Sequence, residues 1–85
     1  MARYSLEFKR SVSRDVEAIP KRDLQRIMER IEALRDDPRQ PGCVKLSGQE
    51  YYRVRQGNYR IVYEILDDRL VVVVIAIGHR RDVYR

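Results

Sequence analysis

The side chains of this sequence that are best suited to chemistry are arginines of its second half, accompanied by one histidine and one tyrosine. Arg53 and Arg55 lie in the alternating stretch YYRVR, and Arg60 follows the next turn. The chain ends with the run HRRDVYR, which contains His79, Arg80, Arg81 and Tyr84. Residues 51–63 hold three arginines and no acidic residue, so this part of the chain is strongly basic.

Arginines gathered at one place repel one another unless an anion is bound between them. The planar guanidinium group matches phosphate oxygens, aromatic rings stack on bases, and a cation stabilises the extra negative charge of a five-coordinate phosphorus. Arginine stays protonated at neutral pH and is a poor general base, so His79 is the one ordinary acid–base side chain. These residue types are therefore those of RNA phosphodiester cleavage. The alternative is that they are solvated surface arginines of a sheet.

Composition limits the class of protein. The chain has 85 residues with 18 Lys and Arg against 13 Asp and Glu, a formal charge of +5 that favours polyanions or acidic proteins as partners. The single Cys43 excludes an internal disulfide, and Cys43 with His79 supplies too few soft ligands for zinc. No signal peptide is visible, and the longest apolar run is too short to span a membrane. We predict one cytoplasmic domain over residues 1–85 without a cofactor.

In the first half, the periodicity predicts one strand and two helices. Residues 3–8 alternate between apolar and polar side chains, as in a strand. Residues 12–19 place apolar side chains at helical spacing, and Pro20 ends this first helix. A longer amphipathic helix follows, with apolar residues at positions 24, 27, 28, 31 and 34, and it ends before Pro38.

The second half changes to strand periodicity. Residues 51–55 and 59–65 alternate, and Gln56-Gly57-Asn58 between them is typical of a tight turn. After Asp67-Asp68, the run LVVVVIAI at residues 70–77 is nearly all apolar and β-branched, which indicates a central strand buried on both faces. Two hairpins in series give an antiparallel meander, and the helices must cover one of its faces.

This meander brings the basic residues together at one end of the sheet. Arg53 and Arg55 share a face because they are two residues apart in a strand. If the last strand runs antiparallel to residues 59–65, its C-terminal end lies beside Arg60. The predicted site then contains Arg53, Arg55, Arg60, Arg80 and Tyr84. We interpret three other tyrosines as packing residues of the sheet: Tyr52, Tyr59 and Tyr63.

The paired segments KLSGQEYYRVRQGNYRIVYEI and LVVVVIAIGHRRDVYR resemble the RelE/ParE superfamily of type II toxins. The N-terminal YSLEF segment, the two helices and the helix end LRDDPR match as well, so the resemblance covers essentially the whole chain. Within the superfamily, the resemblance is to the RelE branch. It implies an α+β, RelE-like fold of the microbial RNase type, in which a strand and a helical hairpin pack on a small antiparallel sheet.

RelE-type toxins enter the ribosomal A site and cut the exposed codon by attack of the RNA 2′-hydroxyl on the neighbouring phosphate. The resemblance implies that Arg60 and Arg80 hold the scissile phosphate and that Tyr84 orients the codon. Arg53 and Arg55 are expected to bind the RNA backbone and offset its charge. We also predict RNA contacts from Arg81, His79 and Lys45. The best-studied relatives carry lysines where this chain has Arg53 and Arg55. The general base therefore stays open between Tyr84 and His79.

The resemblance also implies partners, namely a RelB-like antitoxin in a toxin–antitoxin hetero-oligomer, the ribosome and mRNA. Two alternatives remain at this point. A ParE-like inhibitor of DNA gyrase has the same fold but does not need Arg60, Arg80 and Tyr84 together. A non-catalytic module would use the basic patch only to hold an acidic antitoxin.

Overall fold

A computed structural model of the chain describes residues 3–46 and 50–79. Within them lie two helices and a five-stranded sheet, which confirms the predicted α+β class. No helix in these residues is long and apolar enough to cross a membrane. The predicted site residues Arg80, Arg81 and Tyr84 lie outside the described residues. The elements are β1 (Ser5–Phe8), α1 (Val12–Glu17), α2 (Lys21–Ala33), β2 (Val44–Lys45), β3 (Tyr51–Gln56), β4 (Tyr59–Leu66) and β5 (Val71–His79).

The strands are arranged in the order β1-β5-β4-β3-β2. Each neighbouring pair from β2 to β5 is antiparallel, so the predicted meander is confirmed. The expectation of a wholly antiparallel sheet is wrong for one pair, because β1 runs parallel to β5. These two strands are separated by almost the whole chain and not by a short hairpin. A long connection of this kind permits parallel pairing, which a tight turn does not.

The hydrophobic core lies between the two helices and one face of the sheet. From α2, Ile27 and Ile31 are fully buried, and Leu34 just after the helix is buried with them. They pack with buried side chains of the three central strands, Val54, Ile61, Tyr63, Val72 and Val74. Each fully buried side chain of this size contributes about 1.5–3 kcal/mol relative to leaving it exposed. We call the opposite side of the sheet the open face.

Two tyrosines belong to this core, as the sequence predicted. Tyr52 and Tyr63 stack with ring centroids 5.9 Å apart, and Tyr63 is fully buried. The Tyr63 hydroxyl donates a hydrogen bond of 2.7 Å to the carbonyl oxygen of Pro38. Burial raises the pKa of Tyr63 well above the ordinary tyrosine value, so this hydroxyl remains a donor. The bond ties the loop after α2 to the centre of the sheet.

A β-bulge interrupts the pairing of β4 with β5. Tyr63 pairs with Val74, whereas Val62 pairs with Ala76, so Ile75 is the extra residue. A bulge shifts the alternation of faces by one residue in the strand that contains it. As a result, Ala76 and Gly78 lie on the open face.

Ion pairs connect neighbouring elements at one end of the sheet. Arg39 forms a two-pronged contact with Asp67 in the β4–β5 turn, with nitrogen–oxygen distances of 2.8 and 3.2 Å. The Tyr4 hydroxyl donates to the same carboxylate at 2.7 Å. The hydrogen bonds from Arg39 and Tyr4 lower the pKa of Asp67 to about 2. We call this the paired end, because all six ion pairs that join two described residues lie here.

Candidate functional site

The opposite end of the open face carries the arginines. Arg55 on β3 lies directly opposite Arg60 on β4, and Arg60 lies directly opposite Gly78 on β5. Directly opposed side chains in an antiparallel pair have Cβ atoms about 4.5–5.5 Å apart, and like charges there are destabilising. The register therefore places two cationic side chains side by side at this end of the sheet. We call this region the arginine end and define it by Arg53, Arg55, Arg60 and Gly78.

The turn between β3 and β4 fixes this arrangement. Only two residues separate the strands, and Gly57 has φ = +61°, in the left-handed region that glycine adopts without strain. The short turn sets the register that places Arg55 opposite Arg60. A slip of one residue would turn one of the two arginines to the helix-covered face.

Next to the Arg55–Arg60–Gly78 row, the following set of paired residues on the open face has apolar side chains on β4 and β5. Arg53 lies opposite Val62, and Val62 lies opposite Ala76. Val62 is only 2% exposed, and β5 contributes no more than a methyl group at Ala76 and a hydrogen at Gly78. Ala76 and Gly78 line a cleft together with Arg60 and Val62. Guanidinium groups bordering such a space can bind a phosphate through charge-assisted hydrogen bonds.

Arg53 and Arg55 lie apart from the ion pairs that join described residues. Within residues 3–46 and 50–79, neither forms an ion pair. The carboxylate nearest along β4 is Glu64, which lies opposite Tyr51 and is two rows away from Arg60 on the same face. The register of the sheet confirms that Arg53 and Arg55 share one face, and it places Arg60 on that face as well.

Two other predicted RNA-binding residues are not brought to this face. Lys45 lies opposite Tyr52, on the helix-covered side, and its Nζ is 3.2 Å from a carboxylate oxygen of Glu50. His79 lies opposite Tyr59, and the two rings meet edge to face with centroids 5.4 Å apart. His79 is thus near Arg60 along the strand but on the other side of the sheet, a consequence of the bulge.

A cleft that the sequence did not predict lies between α1 and the end of β5. Its volume is about 710 Å³, and Arg60 contributes to its lining. The other polar lining residues are Ser11, Arg14, Asp15, Tyr59 and His79. Asp15 accepts a hydrogen bond from the backbone N–H of Ile77. One signal was available in the sequence, because Asp15 lies among the apolar positions 12, 16 and 19 of the first helix.

Comparison with known proteins gives consistent matches over nearly the whole chain. Residues 6–84 match the family model described as the ParE toxin of type II toxin–antitoxin systems, parDE. Toxin RelG of Mycobacterium tuberculosis is 33% identical, with 96% of this chain and 97% of that protein covered. A putative RelE-like toxin protein of Escherichia coli is 29% identical over 96% of this chain and 90% of that protein.

Solved structures of toxin–antitoxin complexes also match the chain. The toxin–antitoxin complex RelBE2 from Mycobacterium tuberculosis contains a chain that matches with a TM-score of 0.81 and 27% identity, covering 92% of this chain and 99% of that one. The archaeal RelE–RelB complex from Pyrococcus horikoshii matches with a TM-score of 0.79 and 25% identity, covering 91% and 94%. From its sequence, its sheet and these matches, the chain belongs to the RelE/ParE superfamily and is a RelE-type toxin of a type II toxin–antitoxin system.

Proposed function

We propose that this toxin is a ribosome-dependent endoribonuclease that cuts mRNA in the ribosomal A site and so inhibits translation. One observation supports this most directly: Arg55 and Arg60 are directly opposed on the open face, beside a glycine. Two directly opposed cations, with Arg53 on the same face, favour binding of an anion at this end of the sheet. The phosphate backbone of RNA is such an anion.

The proposed reaction needs no cofactor. The 2′-oxygen of the RNA attacks the adjacent phosphorus, the bond from phosphorus to the 5′-oxygen breaks, and the products are a cyclic phosphate and a 5′-hydroxyl. The transition state gains negative charge on the phosphoryl oxygens, where a fixed cation lowers the barrier. Arg60 is assigned to the scissile phosphate, and Arg53 and Arg55 to the backbone and the developing charge.

The residues after β5 complete the proposed site. Arg80 follows Gly78 by two residues in the sequence, and we assign it to the phosphate and to assistance of the leaving 5′-oxygen. Tyr84 orients the codon and is one candidate for the acceptor of the 2′-hydroxyl proton, and Arg81 adds an RNA contact. His79 is the other candidate acceptor. His79 lies on the helix-covered face, so it can contact the RNA only at the end of β5, where it lines the cleft together with Arg60.

The toxin is also proposed to bind a RelB-like antitoxin. In the M. tuberculosis and P. horikoshii complexes, the similar chains are components of RelBE and RelE–RelB assemblies. A net charge of +5 favours a partner with an acidic segment. Action on the ribosome further implies a cytoplasmic location, as the sequence predicted. Expression of the toxin alone should stop translation, and co-expression of the antitoxin should restore it.

The test is to map cut sites on a message with and without translating ribosomes. The proposal expects cuts within codons, with 5′-hydroxyl ends, only when ribosomes are present. Arg80→Ala and Tyr84→Phe should each reduce cutting by about 100-fold or more. Full cutting by both variants, or equal cutting of free RNA, contradicts the proposal.

A second candidate function follows from the matched family model, whose description is that of a ParE toxin. A ParE-like protein would inhibit DNA gyrase and would not cut RNA. A supercoiling assay with purified gyrase separates the two functions. Inhibition of supercoiling by the toxin, without any ribosome-dependent cut, would favour this candidate. A toxin that does neither, yet binds antitoxin, would be the non-catalytic module.

A further inference from the structure

The two halves of β5 differ in what lies along their edges. Residues 71–74 are flanked by β4 on one side and by β1 on the other. β1 ends at Phe8, opposite Val74, so residues 75–79 have a strand partner on the β4 side alone among the described residues. The edge left beyond Val74 carries backbone N–H and C=O groups that need other partners. This edge belongs to the half of β5 that contains Gly78.

Helix α1 lies along that edge and supplies one of these partners. Asp15 Oδ2 accepts a hydrogen bond of 3.1 Å from the backbone N–H of Ile77, in a partly buried position. The carboxylate takes the place that a carbonyl of a neighbouring strand would occupy. The bond pairs a backbone donor that a neighbouring strand would otherwise pair, so it replaces part of the missing ladder.

The position of Asp15 in the helix fits this role. Positions 12, 15 and 16 fall on one face of α1, and both Val12 in the helix and Ile19 just after it are buried in the core. Asp15 is therefore directed towards the sheet and is half-buried, unlike the exposed Glu17 two residues later. A carboxylate within an apolar face is costly unless it is hydrogen-bonded, and the Ile77 amide provides that bond.

We infer that Asp15 is a positioning residue for the arginine end: by holding the Ile77 amide, it fixes the last half of β5 and keeps Gly78 opposite Arg60. A strand end that is paired on one side only opens more readily than a strand paired on both sides. Ile77 directly precedes Gly78, so a shift there changes the space beside Arg60. Displacements of about 1 Å at a catalytic site can reduce rates about 100-fold. The consequence for cleavage rests on the proposed function, whereas the consequence for β5 does not.

The first arm of the test measures amide hydrogen exchange by NMR. Asp15→Ala removes the acceptor, whereas Asp15→Asn removes the same charge and keeps an acceptor oxygen. The Ile77 amide should exchange about tenfold or more faster in Asp15→Ala and stay close to the wild-type rate in Asp15→Asn. The amide of Val72, which is flanked by strands on both sides, should be unchanged. Glu17→Ala is the matched control for loss of one carboxylate from α1.

The second arm measures cleavage on programmed ribosomes. With ribosomes in excess of saturation, Asp15→Ala should reduce the cleavage rate about 10- to 100-fold, and the ribosome concentration for half-maximal rate should stay within about twofold. Asp15→Asn and Glu17→Ala should cut at close to the wild-type rate. If Asp15→Ala does not fold, Asp15→Glu gives the same two readouts, since it keeps the charge but displaces the carboxylate by one methylene.

The outcomes separate the inference from the function on which it rests. Unchanged Ile77 exchange in Asp15→Ala overturns the inference, and so does faster exchange combined with a full cleavage rate. An equal loss of activity in Asp15→Asn and Asp15→Ala would mean that charge matters and not position, which also overturns it. A wild-type protein that cuts no RNA overturns the proposed function instead. The exchange arm then decides by itself whether Asp15 holds β5.

Discussion

The arginines at the two ends of the sheet differ in the charge of their neighbouring side chains, which is negative at one end and positive at the other. At the paired end, Arg39 is bound by both carboxylate oxygens of Asp67 and lies over the ring of Tyr52, with its central carbon 5.3 Å from the ring centroid. At the arginine end, Arg55 lies opposite Arg60, another cation. The first arrangement pairs a cation with a carboxylate of the chain, and the second places two cations directly opposite each other.

We therefore associate the paired end of the sheet with stability and the arginine end with the proposed function. The ion pairs of the paired end connect the start of β1, the end of α2 and the β4–β5 turn, which are distant in the sequence. The arginine end is the proposed site of cleavage, and the hairpin turn, the β4–β5 ladder and the hydrogen bond from Ile77 to Asp15 hold its strands. Substitutions at the two ends should therefore differ in what they change.

The largest expected effect comes from converting the opposed arginines into an ion pair. Arg55→Glu places a carboxylate opposite Arg60, which should raise the free energy of unfolding by about 0.5–1 kcal/mol. The same change should reduce mRNA cleavage by about 100-fold or more, because the new charge repels phosphate and occupies Arg60. Denaturant titration and cleavage on programmed ribosomes measure the two effects.

Arg69→Glu is the matched control, because it makes the same change of charge in the exposed β4–β5 turn, at the other end of the sheet. It should leave cleavage within about twofold of the wild type. If Arg55→Glu and Arg69→Glu lose activity equally, net charge and not the arginine end determines cleavage, and the contrast between the two ends fails.

A smaller effect, confined to stability, is expected from Tyr63→Phe. The hydroxyl of Tyr63 is buried and donates to the carbonyl of Pro38, so its removal leaves that carbonyl without its donor. The free energy of unfolding should fall by about 1–2 kcal/mol, measured by urea titration. Tyr51→Phe is the control, since the Tyr51 hydroxyl forms no hydrogen bond with a described residue. Equal stability of Tyr63→Phe and wild type would refute the role assigned to this bond.

The smallest expected effect concerns pH at the paired end. The pKa of Asp67 in the folded protein is about 2, below the ordinary aspartate value near 4. Asp67 therefore stabilises the fold fully above pH 4, and this contribution is lost as the pH falls from about 4 towards 2. Asp67→Asn should unfold at lower urea concentration than wild type at pH 7, and the two should converge near pH 2.

The control for this pH effect is Asp68→Asn, because the Asp68 carboxylate is 79% exposed and lies 4.0 Å from its nearest cation. Its difference from wild type should be small at every pH. A gap between Asp67→Asn and wild type that is the same at pH 7 and pH 2.5 would contradict the assigned pKa shift. Neither variant should change cleavage at neutral pH.

The sequence predicted the parts of this molecule that depend on short-range patterns. The helices, the β3–β4 hairpin, the common face of Arg53 and Arg55 and the closeness of Arg60 to them follow from periodicity and from a two-residue turn. Such patterns carry no information on which strand lies beside β5. The parallel pairing of β1 was therefore missed, and β2 is too short to have a periodic pattern.

The faces of β5 were unpredictable for a different reason. In LVVVVIAI every residue is apolar, so no alternation marks where the bulge at Ile75 falls. Without the bulge, His79 would share the open face with the arginines. The bulge moves it to the other side, next to Tyr59. The bond from Ile77 to Asp15 joins residues 62 positions apart, and only the folded chain reveals it.

The most direct test of the central claim compares Arg60→Ala with Arg69→Ala in single-turnover cleavage of mRNA on programmed ribosomes. Both variants remove one arginine from the sheet region, the first at the arginine end and the second in the β4–β5 turn. We expect a loss of about 100- to 1000-fold for Arg60→Ala and of less than about twofold for Arg69→Ala. Cleavage by Arg60→Ala at the wild-type rate, with the fold intact, would contradict the claim.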